Sequence, residues 1–218
     1  MLRTISIQFA CLAAISLSVT NYVMAAEPTD LPTRPTYAIA IHGGCGTAER
    51  LLPAEVQADY RDGLAAALRR GRKLLQEGSP SLQVVEEVAR LMEDNPLFNA
   101  GKGGAFNNEG AHELDASIMD GQTMSCGAVA GVRTVKNPIT LARLVMQRTE
   151  HVFLVGEGAE RFAAQMQVPL VAPDYFYTPR LRDLWAAGDP SNPPSPDLGL
   201  SRGTIGVVAL DQQGNLAA

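Results

Sequence analysis

The chain has 218 residues, of which 46% are hydrophobic and 19% charged, a balance that suits one globular domain rather than two and leaves enough chain to bury a core. A net charge of −5 with no basic patch argues against a nucleic-acid partner, and with no runs of like charge no acidic or basic tail is expected.

The first 25 residues read as a secretory signal peptide. Arg3 supplies a short positive region, and Ile5 to Val19 is mostly apolar. Val23-Met24-Ala25 is a small-x-small pattern that places cleavage after Ala25. A membrane anchor is the competing reading, but Ser6, Gln8, Ser16 and Ser18 make the run too polar, and it is too short to fill the roughly 20 residues a bilayer requires. Export with cleavage predicts a periplasmic or secreted mature chain with no membrane attachment. Cys11 leaves with this segment, so Cys45 and Cys126 remain. An exported protein can pair them. Two cysteines do not make a disulfide framework, and unlinked buried thiols are the simpler reading.

Pro28, Pro32 and Pro35 make residues 27–36 an extended leader. Tyr37 to Ile41 is a short apolar run that predicts a buried strand, broken by His42-Gly43-Gly44-Cys45-Gly46. Ala54 to Glu77 has Leu64, Leu68, Leu74 and Leu75 near helical spacing and predicts a helix stopped by Gly78. Ser81 to Asp94 predicts a second helix, capped by Ser79 or Ser81, with Leu82, Val85, Val88, Ala89 and Met92 on its apolar face. A glycine-containing loop spans Asn95 to Gly104. Leu114 to Met119 and Met124 to Val132 predict a hairpin turning at Asp120-Gly121. Asn137-Pro138 opens a helix that runs to about Arg148. A strand at Val152 to Val155 and helices at Gly158 to Gln165 and Leu181 to Ala187 follow.

Residues 188–203 crowd Pro190, Pro193, Pro194 and Pro196 into a stretch with almost no apolar anchor, which predicts a mobile linker. Thr204 to Leu210 is then an apolar strand, residues 211–215 a turn, and Leu216 the start of a partner strand too short to be stable. That interrupted hairpin suggests an incomplete sequence.

Gly203-Thr204 sits between the linker and this strand. Cutting that bond makes Thr204 an N-terminus, whose hydroxyl becomes a nucleophile while its own α-amine, with an ordinary pKa of about 7.7–8, takes the proton. On spacing alone the plainer reading prevails, a threonine that starts a strand. The His42 to Gly46 loop either aims amides at an oxyanion or is an ordinary strand-to-helix turn, and the residues do not choose between these. His42 and His112 read as hydrogen-bonded core histidines, Asp120 as turn chemistry, and Asp115 as a buried structural acid. No CxxC, HExxH or phosphate-binding glycine loop is present.

Six segments in order carry a resemblance. They are Ile39 to Gly46; Pro96-Leu97-Phe98-Asn99-Ala100-Gly101-Lys102-Gly103; His112 to Gly121; Cys126 to Val132 with Asn137-Pro138; Gly156 to Glu160; and Gly203-Thr204-Ile205-Gly206-Val207-Val208-Ala209-Leu210-Asp211. Together they closely resemble the plant-type asparaginase/isoaspartyl peptidase family of N-terminal-nucleophile hydrolases, from about Tyr37 to Ala218. The resemblance implies an α+β fold, a four-layer αββα sandwich, incomplete at its C-terminus. It implies a precursor that cuts itself between Gly203 and Thr204, giving an α chain of residues 26–203 and a β chain that starts at Thr204 and is truncated at residue 218. The implied activity is hydrolysis of L-asparagine and β-aspartyl dipeptides through Thr204, with Gly43, Gly44 and Asn99 in the substrate or oxyanion loop. No cofactor is implied for catalysis. A structural sodium ion is implied on the main-chain carbonyls of Met92, Glu93, Asn95, Phe98, Ala100 and Lys102, which requires the Lys102 ammonium to turn away. The β subunit from the same precursor and an (αβ)2 dimer are the implied partners.

The chain departs from the family's pattern in lacking its later Thr-Gly-Gly segment, the Arg and Asp that hold the substrate's α-carboxylate and α-amine, and a Gly-Thr-Gly region. The chain by itself is therefore expected to be silent towards L-asparagine. A glycine before the threonine favours the plant-type branch over the glycosylasparaginases, which have aspartate there. The competing reading from another class is an inactive remnant or binding module of the same fold.

Overall fold

Six strands form one sheet in the order β1-β5-β6-β2-β3-β4. The computed structural model describes residues 36–44, 53–107, 109–179, 182 and 204–218. The expected signal peptide, proline-rich leader, linker, Cys45, Gly46 and Gly203 lie outside the described residues, as does nearly all of the helix expected at Leu181 to Ala187. The strands are β1 (Ala38–His42), β2 (Leu114–Asp120), β3 (Ser125–Val132), β4 (Phe153–Val155), β5 (Gly206–Leu210) and β6 (Leu216–Ala217). The helices are α1 (Ala54–Gln76), α2 (Ser81–Glu93), α3 (Pro138–Arg148) and α4 (Gly156–Gln165). Among the described residues no helix is long and apolar enough to cross a membrane.

Neighbouring strands are antiparallel except β3 and β4, which are parallel and connected through α3. The arm that follows the strand beginning near Thr204 is short, as expected, and pairs with it only at Ala209 and Leu210, but the strand has a second partner. β5 pairs along its whole length with β1, from Ala38 opposite Leu210 to His42 opposite Gly206. Its other side meets β6, and β6 in turn meets β2. The last residues of the chain thus lie inside the sheet and join β1 to the β2-β3-β4 group. Local patterning could not reveal this, because the second partner of β5 is more than 160 residues away in sequence.

Alternation places one set of side chains under the helices. Val207 and Ala209 of β5, Leu114 and Ile118 of β2, and Val129 and Val132 of β3 are buried, with Val84, Val85, Val88 and Met92 of α2 packed in the same core. The opposite set, including Met119, Phe153, Val155, Val208 and Leu216, is exposed. The described residues make two layers, helices over a sheet, rather than the expected four. β1 is an edge strand exposed at alternate positions, not a buried strand.

Helix α1 ends as its glycine predicted. Gly78 adopts φ +83°, and the amides of Gly78 and Ser79 close back onto the carbonyls of Leu75 and Leu74. Helix α2 does not start as predicted. Neither Ser79 nor Ser81 caps it, and Pro80 occupies the cap position. Instead the Ser81 amide donates to Oδ2 of Asp211, 3.0 Å away. Asp211 is 1% exposed and also accepts the amides of Gln213 and Asn215, so one carboxylate closes the β5-β6 turn and starts α2. Burial alone would raise its pKa, but the amides of Ser81, Asn215 and Gln213 and the Asn215 carboxamide outweigh it and hold the acid below its ordinary value. The hairpin of β2 and β3 is longer than an Asp-Gly pair. Residues 121–124 form it, Met124 takes the left-handed conformation, and Asp120 accepts the Gln122 amide and the Thr123 hydroxyl.

Asp211→Ala is expected to destabilise the protein by about 2–3 kcal/mol in urea unfolding, since it orphans three amides at once. Because the folded pKa is lowered, the carboxylate's contribution is present above about pH 3.8 and is lost as pH falls through the folded value. An Ala variant as stable as wild type would remove Asp211 from this role.

Candidate active site

The register of β1 against β5 builds the candidate site. With His42 opposite Gly206, the residues that follow β1 lie beside those that precede β5. Gly44 consequently packs against Thr204, and a Cβ on Gly44 would stand 3.5 Å from the Thr204 carbonyl oxygen. Gly44 has φ +136°, a conformation that glycine adopts without a Cβ clash. Its amide donates to Nδ1 of His42, 3.1 Å away. His42 is exposed at the end of an edge strand, not a core histidine as expected. Gly206 leaves room for its ring, since a Cβ there would lie 2.9 Å from His42 Cδ2.

Thr204 is exposed, two residues before β5, and its hydroxyl donates to the Ile205 carbonyl at 3.2 Å. Its nitrogen is an amide in the continuous chain and has no lone pair basic enough to take the hydroxyl proton. A basic amine appears only if the bond to residue 203 is cut.

Gly43 leads to the second half of the site. A Cβ on Gly43 would be 2.9 Å from the Phe98 ring, and one on Gly63 would be 3.2 Å from the same ring. Phe98 is buried between these two glycines and meets Tyr60 edge to face. It thereby ties the residue 92–104 loop to the end of β1. The next residue, Asn99, turns Oδ1 to the Ala105 amide at 2.7 Å. No described contact joins Asn99 directly to Thr204. What the fold brings together is Gly44 with Thr204, and Gly43 with the loop that carries Asn99.

The same loop holds the six expected sodium-ligand carbonyls. A Cβ on Gly101 would sit 2.4 Å from the Glu93 oxygen, and one on Gly103 would sit 2.0 Å from the Phe98 oxygen and 2.8 Å from that of Pro96. The Glu93 carbonyl thus presses on Gly101, and those of Phe98 and Pro96 on Gly103, where any larger residue would collide. The Met92, Asn95 and Ala100 oxygens each accept one backbone amide and keep a second lone pair. Lys102 Nζ lies over the Tyr175 ring, 5.2 Å from its centroid, so its ammonium has a partner other than the carbonyls. Among the described residues no group of three or more His, Cys, Asp or Glu side chains could hold a metal ion.

One buried side chain escaped the sequence reading. Glu93 figured there only through its carbonyl, yet its carboxyl is 4% exposed and accepts the Ile139 amide at 3.0 Å, starting α3 behind Pro138. Burial pushes it up to about 8, against the opposing pull of Ile139 and Asn137 and with a smaller upward push from Asp94. The signal was its place one turn past Ala89, on the buried face of α2. The next residue, Asp94, gathers Lys136 Nζ, Asn137 Nδ2 and the Tyr175 hydroxyl. His112 is a core histidine as expected, at 3% exposure. Asp115 is not buried. It is exposed beside the irregular pairing of β2 and accepts the Gly131 amide. Cys126 is free and exposed near the hairpin rather than buried.

A family model described as "Asparaginase" matches residues 35–218. The chain is 47% identical over 189 residues to an isoaspartyl peptidase of Salmonella typhimurium, a match that covers 83% of this chain and 60% of that protein. It is 45% identical to an isoaspartyl peptidase of Escherichia coli, covering 83% and 59%. It is 41% identical to an isoaspartyl peptidase/L-asparaginase of Xenopus laevis, covering 82% and 57%. The chain thus spans about three-fifths of the length of these curated relatives.

The raised Glu93 acid has a stability signature. Between about pH 4.5 and 8 the folded state keeps a proton that the unfolded state has released, so stability is highest below that window and falls as pH rises through it. Glu93→Gln has no proton to lose and still offers an oxygen to Ile139. Thermal unfolding from pH 5 to 8 is expected to show wild type losing stability relative to this variant. Parallel curves would refute the assignment.

Proposed function

The chain belongs to the asparaginase family, and from that premise we propose that it is the nucleophile-bearing part of a self-cleaving amidohydrolase acting on L-asparagine and β-aspartyl dipeptides. The observation that carries this reading is the β1-β5 register, which sets the Gly43-Gly44 backbone beside Thr204. Family membership supports the amidohydrolase class, and the relatives named isoaspartyl peptidase support the substrates.

In the first stage Thr204 Oγ attacks the Gly203 carbonyl carbon. The carbon–nitrogen bond breaks, the threonine nitrogen takes up a proton, and water hydrolyses the resulting ester. Thr204 then has a free amine next to its hydroxyl. In the second stage that amine takes the hydroxyl proton while Oγ attacks the side-chain carbonyl of the substrate. Gly43, Gly44 and Asn99 form the substrate and oxyanion loop, with the Gly44 amide engaged by His42 Nδ1 and the Asn99 NH2 group as a donor. They are held by strand end and loop packing before substrate arrives, so little reorganisation opposes the step. The amine receives the proton and passes it to the leaving ammonia or peptide amine. Water completes the cycle by cleaving the β-aspartyl ester.

The remaining assignments complete this reading. The α and β chains come from one precursor and pair as an (αβ)2 dimer. The first 25 residues direct export to the periplasm or medium. The second sheet of a four-layer sandwich covers the exposed face that bears Met119, Phe153, Val208 and Leu216. The residue 92–104 loop holds sodium on the carbonyls of Met92, Glu93, Asn95, Phe98, Ala100 and Lys102, which fixes the loop that carries Asn99. Catalysis itself uses no cofactor.

Mass spectrometry of the exported full-length protein is expected to find two chains, one beginning at Ala26 or within a residue or two and the other at Thr204. Thr204→Ala should give one uncut chain and no ammonia from L-asparagine, whereas Thr204→Ser should keep part of both activities. Ammonia release by the Ala variant at the wild-type rate would sink the nucleophile. For the loop, replacing sodium with tetramethylammonium at fixed ionic strength should lower the melting temperature, and an unchanged value would remove the ion.

A further inference from the structure

We propose that His112 is a positioning residue for Asn99, acting through the backbone of Ala105. The inference rests on the reading of Asn99 as part of the substrate and oxyanion loop. Both polar groups of Ala105 are engaged. Its amide donates to Asn99 Oδ1 at 2.7 Å, and its carbonyl faces His112 Nδ1 at 3.2 Å. Ala105 is therefore held through both peptide units that meet at its Cα, and the bond on the Asn99 side sets the direction of a catalytic-loop carboxamide.

The proton positions follow from the partners. A carbonyl oxygen only accepts, so His112 Nδ1 carries the proton and Nε2 has the bare lone pair. Nε2 is buried without a partner. Nothing polar aligns the ring from that side, and aromatic contacts do so instead. Phe106 lies 4.2 Å away between centroids, Tyr177 5.1 Å and Phe176 6.2 Å. The same logic fixes Asn99. An amide N–H only donates, so Asn99 must present oxygen to Ala105 and turn its NH2 group away. If residue 105 shifts once its carbonyl is released, the bond from its amide is lost and the Asn99 carboxamide can flip, exchanging a donor for an acceptor where the oxyanion needs a donor. An unsatisfied buried Nε2 carries a stability cost, which an apolar residue in place of the ring would relieve. The Ala105 carbonyl bond is what the present arrangement secures.

Three substitutions in the processed full-length enzyme separate the donor from the ring. His112→Asn keeps an N–H near the position of Nδ1, His112→Gln moves it to that of Nε2, and His112→Leu keeps bulk without a donor. With L-asparagine as substrate, His112→Leu and His112→Gln are expected to lose about tenfold or more in kcat with KM within about twofold, a fraction of the loss expected on removing an oxyanion donor outright. His112→Asn should stay within about threefold of wild type. Nitrogen-15 spectra of wild type should show the Nδ1-protonated tautomer. Equal kcat in the Asn, Gln and Leu variants, whether all high or all low, would overturn the proposal, as would an Nε2-protonated ring. If His112→Leu fails to fold, the Asn and Gln pair alone decides. Asn99→Ala distinguishes the failures. Full activity there would overturn the reading of Asn99 and with it the proposal, whereas a slow Asn99→Ala enzyme with indifferent His112 variants would overturn the His112 step alone.

Discussion

Two buried carboxyl groups fix how the helices meet the sheet. Pro80 precedes α2 and Pro138 opens α3, and neither helix has a side-chain cap from its own first turn. The first amides of a helix still require acceptors when they are buried. Asp211 reaches Ser81 across 130 residues, and Glu93 reaches Ile139 across 46. Each bond attaches a helix start to a remote turn or helix end. Asp211 ties the β5-β6 turn to α2, and Glu93 ties the end of α2 to α3. α2, whose Val84, Val88 and Met92 are fully buried, is thus clamped at both ends.

This clamp matters for Thr204 because β5 is the strand it feeds. β5 lies between β1 and β6, held at its far end by the Asp211 turn. With that end fixed, the ladder to β1 sets the near end and leaves little freedom in how Gly44 meets Thr204. In the proposed reaction such fixed placement would settle the orientation of Thr204 before the chemistry begins. Phe98 extends the constraint from Gly43 to the loop of Asn99 by filling the space that two glycines leave open.

The two histidines near this region hold their protons on opposite nitrogens. His42 Nδ1 accepts from the Gly44 amide, so its proton is on Nε2, while His112 Nδ1 donates to Ala105. Burial lowers the pKa of His112, with the Ala105 and Gly104 backbone opposing it, which keeps the ring neutral. One ring braces the glycine turn beside Thr204 and the other braces the Asn99 loop, and neither needs a charge to do so.

The sequence by itself determined the helices and most strands, because these follow from periodicities that a local window contains. Asn137-Pro138 marked the start of α3, Gly78 the end of α1, and the alternation in residues 114–132 the β2-β3 pair. It also carried the family, because glycines beside a Thr204-type strand and a Phe98-Asn99 loop recur in order along the chain. Only the tertiary structure decided which strand pairs with β5, where Asp115 and Cys126 face, and that α2 is capped by Asp211 rather than by a neighbouring serine. The reason is the same in each case. Pairing, exposure and capping depend on groups far apart in sequence, and a short window records what a residue is without recording what the folded chain brings against it.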